Sequence, residues 1–391
     1  MLRDIEEFRI DKAARSFEGK CKLALHGSHP PAFSINDLRK FSDGKPNPVD
    51  ADTPIAYAQS EGSVQLRRRL AEIYSTPDFQ LTESNVLITP GSIMANYLVF
   101  STICNKGDHV ICQFPNFGQL YTLPKHLGMD VDFWVMREEN DWLPDTSELE
   151  KLVKANTKAI ILNNPNNPTG ATLPEETLQK VRAIAEKHGL VIVADEIFRP
   201  LFHTGAPAPP SVVSLGYQKS VSTGSLSKAY SLPGIRVGWI ISPDPEVLRQ
   251  VKLARAYTTL NVSRVDDAIA VFALEPATLA KLMRHNLEIC ASNIKHLEAF
   301  INENSDRCSW VRPTGSCTAF VRIRDSVGNP VDDVEFSRKL VDETGVSILP
   351  GNYSFGEPGF EFPGYFRIGL GQSEETVVKA LELVRSFLPK F

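Results

Sequence analysis

Lys228 is the side chain of this sequence best suited to covalent chemistry. It follows a short strand-like run, residues 220–223, and lies in Ser-Leu-Ser-Lys-Ala-Tyr-Ser-Leu-Pro-Gly-Ile-Arg, residues 225–236. A lysine in a partly dry crevice loses its proton more easily and can attack a carbonyl carbon. Taken alone, a lysine in a serine-rich loop is more often a solvated surface residue. The elements around it have to decide between these two interpretations.

From Asn85 onward, short β-branched runs alternate with helical stretches, which is the pattern of βαβ units and a mainly parallel sheet. We therefore predict an α/β fold. The predicted strands are Val86–Thr89, His109–Phe114, 131–136, 159–163, 191–194, 220–223 and 237–241. In open α/β sheets, ligands bind beyond the carboxyl ends of the strands. The residues that follow these strands are therefore the candidates for a site.

A glycine-serine turn follows the first predicted strand and opens a helix. It consists of Gly91, Ser92 and Ile93. Backbone N–H groups at such a turn bind anions, because unpaired donors and the helix dipole point the same way. Arg236, eight residues after Lys228, can present a planar fork to the same anion. Each of these signals is weak by itself.

Three further strand ends carry groups suited to a flat polar ligand. Residues 163–170, Asn-Asn-Pro-Asn-Asn-Pro-Thr-Gly, form a rigid loop with four amide side chains. Asp195 directly follows Val-Ile-Val-Ala, where an unpaired carboxylate is disfavoured, so a protonated ring nitrogen would suit it. A helix-capping or solvated carboxylate is an equal alternative at that position. Phe117 follows a strand and could cover a planar ligand, although a core role is commoner.

Arg367 lies inside an apolar run, Tyr-Phe-Arg-Ile-Gly, residues 365–369. It either faces water on an edge strand or is buried and needs an anionic partner. One ligand would occupy all these groups together: it has a phosphate, a basic ring nitrogen, a phenolic oxygen and an aldehyde for Lys228. That ligand is pyridoxal 5′-phosphate. A second carboxylate site at Arg367 then predicts an α-amino acid as the substrate.

Together these motifs resemble the fold-type I, class I/II aminotransferases, which depend on pyridoxal phosphate. The resemblance extends from about residue 57 to residue 367. It rests on four motifs in the family's order: N-P-N-N-P-T-G at 164–170, D-E-I-F at 195–198, S-L-S-K at 225–228 and F-R-I-G at 366–369. It implies a mainly parallel seven-stranded sheet in a large domain, with a smaller α+β domain beside it.

The resemblance implies a cofactor role for each matching residue. Lys228 resembles the lysine that binds the cofactor aldehyde and later carries a proton from the substrate Cα. Asp195 resembles the carboxylate that keeps the pyridine nitrogen protonated, which makes the ring an electron sink. Asn167 matches the asparagine on the phenolic oxygen, and Phe117 matches the ring stacked on the cofactor. The residues matching the phosphate site are Gly91, Ser92, Ile93, Ser225 and Arg236.

The resemblance also predicts substrate contacts and a partner subunit. Arg367 matches the arginine that holds the substrate α-carboxylate, and Asn167 and Gly27 are predicted to contact the substrate as well. Tyr57 resembles the tyrosine that reaches the phosphate in the neighbouring subunit. We therefore predict a homodimer.

Phe198 departs from the family pattern, in which a tyrosine three residues after the aspartate also bonds the phenolic oxygen. We predict that Phe198 contacts the cofactor, and that the missing hydroxyl changes how charge is shared over the ring. Together with residues 227–239 and 318–320, it is similar to the capreomycidine-synthase branch of the fold. That branch and related arginine oxidases act on cationic amino acids by elimination, cyclisation or oxidation.

Two hypotheses for function follow. The first is an aminotransferase that moves the amino group of an L-α-amino acid to a 2-oxo acid. The alternative is a non-transaminating enzyme of the same fold, a lyase, cyclase or oxidase. An effector sensor fused to a DNA-binding head is not expected, because the family-like sequence begins within the first 60 residues. A purely structural role would not explain Lys228, Asp195 and Arg367 together.

Composition excludes several other classes. The chain has 391 residues and a formal net charge of −5 without a long basic block, which argues against nucleic acid as a partner. No apolar run approaches the roughly 20 residues that span a bilayer. The acidic start lacks the apolar core of a signal peptide, so we predict a cytoplasmic enzyme. The six cysteines form no C-x-x-C pair, which predicts reduced thiols and no metal site.

We predict three segments. Residues 1–52 contribute to the smaller domain, 53–275 form the large cofactor-binding domain, and 276–391 hold an interdomain helix and the rest of the small domain. The long helix should run from Pro276 to about residue 302.

Two N-terminal features and one later stretch complete these expectations. A helix is predicted within residues 1–20 from the helical spacing of Ile5, Phe8, Ala13 and Phe17. Candidates for side-chain specificity, which the sequence does not rank, are His26, Ser28, His29 and residues 257–263.

Overall fold

The computed structural model describes residues 6–203, 205 and 207–391. The helices are α1 (Arg9–Arg15), α2 (Ile35–Phe41), α3 (Val64–Tyr74), α4 (Ser92–Ile103), α5 (Gln119–His126), α6 (Thr146–Leu149), α7 (Glu175–His188), α8 (Pro245–Ala256), α9 (Arg264–Leu274), α10 (Pro276–Glu303), α11 (Asp333–Thr344), α12 (Gly351–Phe355) and α13 (Glu374–Phe387). The strands are β1 (Leu23–Ala24), β2 (Val86–Thr89), β3 (His109–Phe114), β4 (Asp130–Val135), β5 (Thr157–Asn163), β6 (Val191–Asp195), β7 (Ser220–Ser225), β8 (Gly238–Ile241), β9 (Cys308–Trp310), β10 (Thr318–Ile323), β11 (Val346–Ser347), β12 (Leu349–Pro350) and β13 (Tyr365–Gly369).

The main sheet has seven strands in the order β2-β8-β7-β6-β5-β3-β4. Among the seven strands described in this sheet, six run parallel to one another, and β8 runs antiparallel to its two neighbours. The central strands are buried along most of their length and rich in Val, Ile and Leu, as expected for a parallel sheet covered on both faces. The predicted mainly parallel, seven-stranded sheet is confirmed, with strand ends shifted by at most two residues.

Strand register brings the candidate site residues to one edge of this sheet. Asn163, the last residue of β5, pairs with Asp195 at the end of β6. Asp195 in turn pairs with Thr223 near the end of β7. Because neighbouring parallel strands end at the same level, the loops that follow them meet above one edge.

The helices α7 and α10 agree with the sequence pattern. Helix α7 has the predicted bounds and ends at Gly189, whose φ of 69° suits a left-handed cap. Helix α10 runs one residue beyond the predicted end. One of its buried polar residues, Asn286, donates hydrogen bonds to the Ala229 carbonyl (2.8 Å) and the Ser231 hydroxyl (2.9 Å). The long helix is thereby tied to the loop that carries Lys228.

The apolar run at residues 346–349 predicts a single strand, and this prediction is wrong, because the run divides between two sheets. Val346–Ser347 pairs in parallel with Leu23–Ala24. Leu349–Pro350 instead joins the four-stranded antiparallel sheet β12-β13-β10-β9. The residues of both short strands are buried, so the sequence pattern is that of one continuous strand. The run is divided because its two halves pair with different strands that are distant in sequence.

The N-terminal helix is shorter than the predicted span. It covers Arg9–Arg15, with Phe8 as its N-cap and a turn after it. Ala13 and Phe17 are buried as expected, and the prediction for Ile5 lies outside the described residues.

The smaller sheets unite both ends of the described chain. The pairing of β1 with β11 is one link, and α1 packs against α12 and β12. The division at residues 52 and 275 stays a prediction. The described helices include none with the length and apolar character needed to cross a membrane. All six cysteines are unpaired, and five are buried.

Candidate active site

A cavity of about 300 Å³ lies where the ends of β5, β6 and β7 meet the N-terminal loop and β13. The predicted site residues that line it are Ser92, Ile93, Phe117, Asn167, Asp195, Phe198, Lys228, Arg236 and Arg367. Side chains from six separated parts of the chain therefore converge on one enclosed space.

Four predicted site residues do not line this cavity. Gly91 and Ser225 lie directly behind the end of the cavity that Arg236 and Ser227 line. Gly91 contacts Arg236, and Ser225 accepts a hydrogen bond from the Ser227 amide (2.9 Å). Gly27 lies against β13. Tyr57 is 86 % exposed and is on the rim of a separate cleft of about 610 Å³.

The Lys228 ammonium group lies inside the cavity. Its Nζ donates a hydrogen bond to Ser28 Oγ at 2.8 Å. Burial, and after it the charge of Arg367, lowers the pKa of Lys228 from 10.5 to about 8. An appreciable fraction of this lysine is therefore a neutral amine near physiological pH, as a nucleophile or proton acceptor requires.

Asp195 is a buried carboxylate with few partners. Its oxygens accept hydrogen bonds from Asn96 Nδ2 (2.9 Å) and the Ile197 amide (3.1 Å). Burial raises the pKa of Asp195 to about 6, although the bond from Asn96 opposes the rise. Asn96 is itself held, because its Oδ1 accepts a hydrogen bond from Thr223 Oγ1 (2.6 Å). The carboxylate is thus fixed in orientation but lacks a cation at hydrogen-bond distance among the described residues.

The N-terminus of α4 forms an anion cradle. The first turn of a helix leaves N–H groups without partners, and no side chain of the described residues caps α4. Gly91 has a φ of +80°, and a Cβ there would lie 2.6 Å from Arg236 Nη2. Arg236 Nη1 donates to Pro233 O at 3.0 Å and to Ser227 Oγ at 3.3 Å. Glycine therefore leaves the space in which backbone donors and a guanidinium meet an anion.

Arg367 is a buried cation at the opposite end of the cavity. It is 4 % exposed, and its Nη1 and Nη2 donate to Asn167 Oδ1 (3.1 Å) and His26 O (2.6 Å). Its buried Nε has no partner, and no described carboxylate pairs with it. Burial lowers the pKa of Arg367 to about 10, so it remains charged near pH 7. A buried arginine paired only with neutral oxygens is suited to an anionic ligand.

The wall between these two ends is apolar. Phe198 is 1 % exposed, and Phe117 is held by an edge-on contact with Phe8 at 5.3 Å between ring centroids. Ile10 and Ile197 also line the cavity. A flat ring would therefore meet hydrocarbon on its faces and polar groups at its edges.

Comparison with known proteins decides the family. Residues 49–384 match the family described as aminotransferase class I and II. This chain belongs to that family. Class I and II aminotransferases depend on pyridoxal phosphate, which is therefore the cofactor. The geometry fits this group, because the cradle at Gly91 suits a phosphate, and the raised-pKa carboxylate of Asp195 suits a protonated pyridine nitrogen.

Relatives and solved structures agree. A PLP-dependent aminotransferase from Streptococcus suis 89-1591 is 32 % identical with a TM-score of 0.89, and the match covers 100 % of this chain and 99 % of that one. Tyrosine aminotransferase from Mus musculus is 27 % identical over 87 % of this chain and 74 % of its own length. The PLP-dependent cyclase OrfR is 25 % identical with a TM-score of 0.86, and the match covers 100 % of this chain and 99 % of the cyclase chain. The predicted fold type and the prediction of a PLP-dependent aminotransferase are confirmed.

Several residues in or directly behind the cavity of this aminotransferase are not among the predicted ones. Asn96 is one α-helical turn after Ser92 and is the polar residue of an otherwise apolar stretch, a signal that could have revealed it. Asn163 and Ser227 lie within motifs that were recognised for other residues. Of the unranked specificity candidates, Ser28 and His29 line the cavity.

The remaining specificity candidates lie elsewhere. The His26 ring shares a 2.6 Å hydrogen bond with the Ser347 hydroxyl, and the His26 backbone carbonyl contacts Arg367. Residues 257–263 do not line the cavity of this chain, and Tyr257 is 93 % exposed.

Proposed function

We propose that this aminotransferase acts on α-amino acids whose side chains are uncharged and apolar or aromatic, with a 2-oxo acid as the acceptor. The observation that carries the proposal is the charge distribution of the cavity. Its cations are Lys228, Arg236 and Arg367, and Asp195 is the one carboxylate among its described lining residues. A cationic side chain would find no free counter-charge there, whereas the apolar wall suits a hydrocarbon side chain.

The substrate carboxylate is assigned to Arg367. Its planar fork can bind a carboxylate through two parallel hydrogen bonds. The partners of Arg367 in this chain are the neutral oxygens of Asn167 and His26, so a carboxylate would supply the missing charge. Binding it would fix the α-amino group and the Cα–H bond toward Lys228.

The remaining residues hold the cofactor in this proposal. When bound, pyridoxal phosphate supplies an electron sink for the charge that develops when the Cα–H bond breaks. Asp195 would pair with the ring nitrogen, Asn167 would donate to the phenolic oxygen, and Phe117 and Phe198 would enclose the ring. The phosphate would be held by Gly91, Ser92, Ile93, Ser225 and Arg236.

Lys228 is the proton carrier. Its depressed pKa leaves the amine able to accept the Cα proton and to return it at a neighbouring carbon. Because Arg367 and Lys228 line the same cavity, one residue can hold the substrate carboxylate while the other accepts the proton of the adjacent Cα.

A homodimer completes the proposal. Ile55, Tyr57 and Tyr257 are exposed by 95 %, 86 % and 93 %, an unusual exposure for large apolar side chains in one region. Tyr57 forms an isolated bridge with Ser263 and therefore has a defined backbone position. We assign Tyr57 to the phosphate of the neighbouring subunit. The division at residues 52 and 275 and a cytoplasmic location belong to the same proposal.

Phe198 supports a second candidate, a non-transaminating enzyme of this fold. Its buried ring offers no hydroxyl beside Asn167, and the chain is similar to the cyclase OrfR. Among the described lining residues, no carboxylate is left free once Asp195 pairs with the cofactor, which argues against a cationic amino acid and so favours transamination.

Isotope transfer distinguishes the two candidates. The purified enzyme, loaded with pyridoxal phosphate, is given single 15N-labelled amino acids together with 2-oxoglutarate or pyruvate. We expect the label in the amino acid formed from the acceptor, with apolar and aromatic donors fastest. Release of labelled ammonia without any need for a 2-oxo acid would contradict transamination. Full activity in Lys228→Ala would contradict the whole assignment.

A further inference from the structure

The loop 25–30 enters the active site from the N-terminal part of the chain and lies on the strand that carries Arg367. The Gly369 amide donates to the Leu25 carbonyl at 2.7 Å. A Cβ at Gly369 would lie 2.2 Å from the Gly27 oxygen, and a Cβ at Gly371 would lie 2.6 Å from the His29 carbonyl carbon. Two glycines therefore allow the loop backbone to lie directly against the end of β13.

Polar contacts fix the same loop from two other sides. The Leu25 amide donates to the Ser347 carbonyl at 2.9 Å, and the Ser347 hydroxyl bonds His26 Nδ1 at 2.6 Å. The His26 carbonyl accepts a hydrogen bond from Arg367 Nη2 at 2.6 Å. Burial lowers the pKa of His26 to about 4, so the His26 ring is neutral near pH 7.

The end of β13 is itself anchored to the long helix. Asn293 Nδ2 donates to the carbonyls of Leu370 (2.9 Å) and Gln372 (2.7 Å). The loop therefore rests on a segment held from both faces, and its side chains have a defined location in the cavity.

Ser28 is the loop residue that this arrangement brings to Lys228. It is 7 % exposed, lines the cavity and accepts the hydrogen bond from Lys228 Nζ at 2.8 Å. It is the hydrogen-bond partner of Nζ among the described residues. A lysine has four rotatable side-chain bonds, so a single fixed acceptor removes much of its freedom.

We propose that Ser28 is a positioning residue for Lys228, set in place by the close packing of its loop on Gly369 and Gly371. The inference rests on the proposed role of Lys228 as the proton carrier. The Ser28 oxygen accepts a hydrogen bond from the ammonium form and so stabilises the protonated lysine at one location. The protonated amine is then held where it can return its proton.

Chemical labelling of the cofactor-free enzyme tests this contact directly. The rate of Lys228 acylation by acetic anhydride is measured against pH by peptide mass spectrometry, and its midpoint reports the pKa of Lys228. Removing an acceptor from the ammonium should lower that midpoint in Ser28→Ala by about 0.5–1 pH unit. Ser28→Thr keeps the hydroxyl and should retain the wild-type midpoint. An unchanged midpoint in Ser28→Ala would overturn the proposal.

Kinetics of the loaded enzyme give a second readout. We expect kcat of Ser28→Ala to fall by about 10- to 100-fold with KM changed less than about threefold, and Ser28→Thr to recover most of kcat. A rise in KM with unchanged kcat would instead indicate a substrate-binding role and would overturn the positioning role. The labelling result does not depend on amine transfer, so it separates failure of this inference from failure of the proposed function.

Discussion

Asp195 and Glu196 are consecutive acids with opposite surroundings. Glu196 is fully buried and accepts hydrogen bonds from the hydroxyls of Ser211 (2.6 Å) and Ser222 (2.7 Å). Asp195 turns to the cavity and accepts two bonds, from Asn96 and a backbone amide. The better-satisfied acid is a structural group, and the less satisfied one is left for a ligand.

The pKa of Asp195 predicts a pH-dependent stability in the cofactor-free enzyme. A raised pKa means that the folded chain favours the protonated acid, so the penalty for ionisation is absent below about pH 4 and complete above about pH 6. Asp195→Asn removes this penalty. The Tm of the variant minus the Tm of the wild type should therefore be roughly 2–5 °C larger at about pH 8 than at about pH 4.5.

Thermal unfolding of both cofactor-free proteins at the two pH values provides the measurement. Glu196→Gln is the matched control, because its carboxylate already has several donors. A Tm difference between Asp195→Asn and wild type that does not vary with pH would contradict the prediction.

Helix α4 performs two tasks from one sequence stretch. Its N-terminus opens at the Gly91 turn, and one turn later Asn96 holds Asp195. The helix therefore links the anion cradle to the carboxylate. Because it is 12 residues long and packed against the sheet, the two ends of a bound cofactor would be set by one rigid element.

Gly91→Ala tests the cradle. A Cβ there collides with Arg236 Nη2, so we expect the affinity for pyridoxal phosphate to fall at least about tenfold. Gly107→Ala is a matched control, since its φ of +87° imposes similar backbone strain with no atom within 4 Å of the new Cβ. Cofactor binding is measured by fluorescence titration. Equal affinities in the two variants would contradict the role of the cradle.

The sequence predicts strands and strand ends well but not the pairings between distant segments. The end of β6 at Asp195 follows from a short apolar run before an acid, a local signal. The contact between Ser28 and Lys228 depends on β1 pairing with β11, and a two-residue strand has almost no signal of its own. The prediction of one strand at 346–349 fails for the same reason, because tertiary packing determines which strands its two halves pair with.

Asn96 shows a different limit. Its polarity within an apolar helix is visible in the sequence, but its partner Asp195 lies about a hundred positions later. Only the register of β6 beside β7 brings Asp195 and Thr223 together around that amide. Candidate site residues can therefore be predicted where the signal is local in sequence, whereas contacts between distant residues can be predicted only once the fold is known.

At the scale of the whole molecule, the exposed region around Tyr57 predicts shared active sites. Lys228→Ala and Tyr57→Ala subunits, unfolded together and reassembled, should regain about one quarter of wild-type activity. About half of random dimers are hybrids, and each hybrid has one site in which both residues are intact. Activity is measured after reassembly at equal subunit concentrations.

The control mixes two variants whose substitutions both lie in the cavity of their own subunit. Mixing Lys228→Ala with Asp195→Ala should restore no activity, because each subunit of the hybrid carries a damaged cavity. Failure of the Tyr57 mixture to exceed this control would contradict the shared-site arrangement.

The hydrogen bonds that hold the N-terminal loop between β11 and β13 have a consequence for folding during protein synthesis. The ribosome makes Leu23–Ala24 early, but the partners of that strand and Arg367 emerge only near the end of translation. The anion cradle and Asp195 can form as soon as the seven-stranded sheet is complete. A nascent chain would therefore gain the means to retain the cofactor well before it could hold a substrate carboxylate at Arg367.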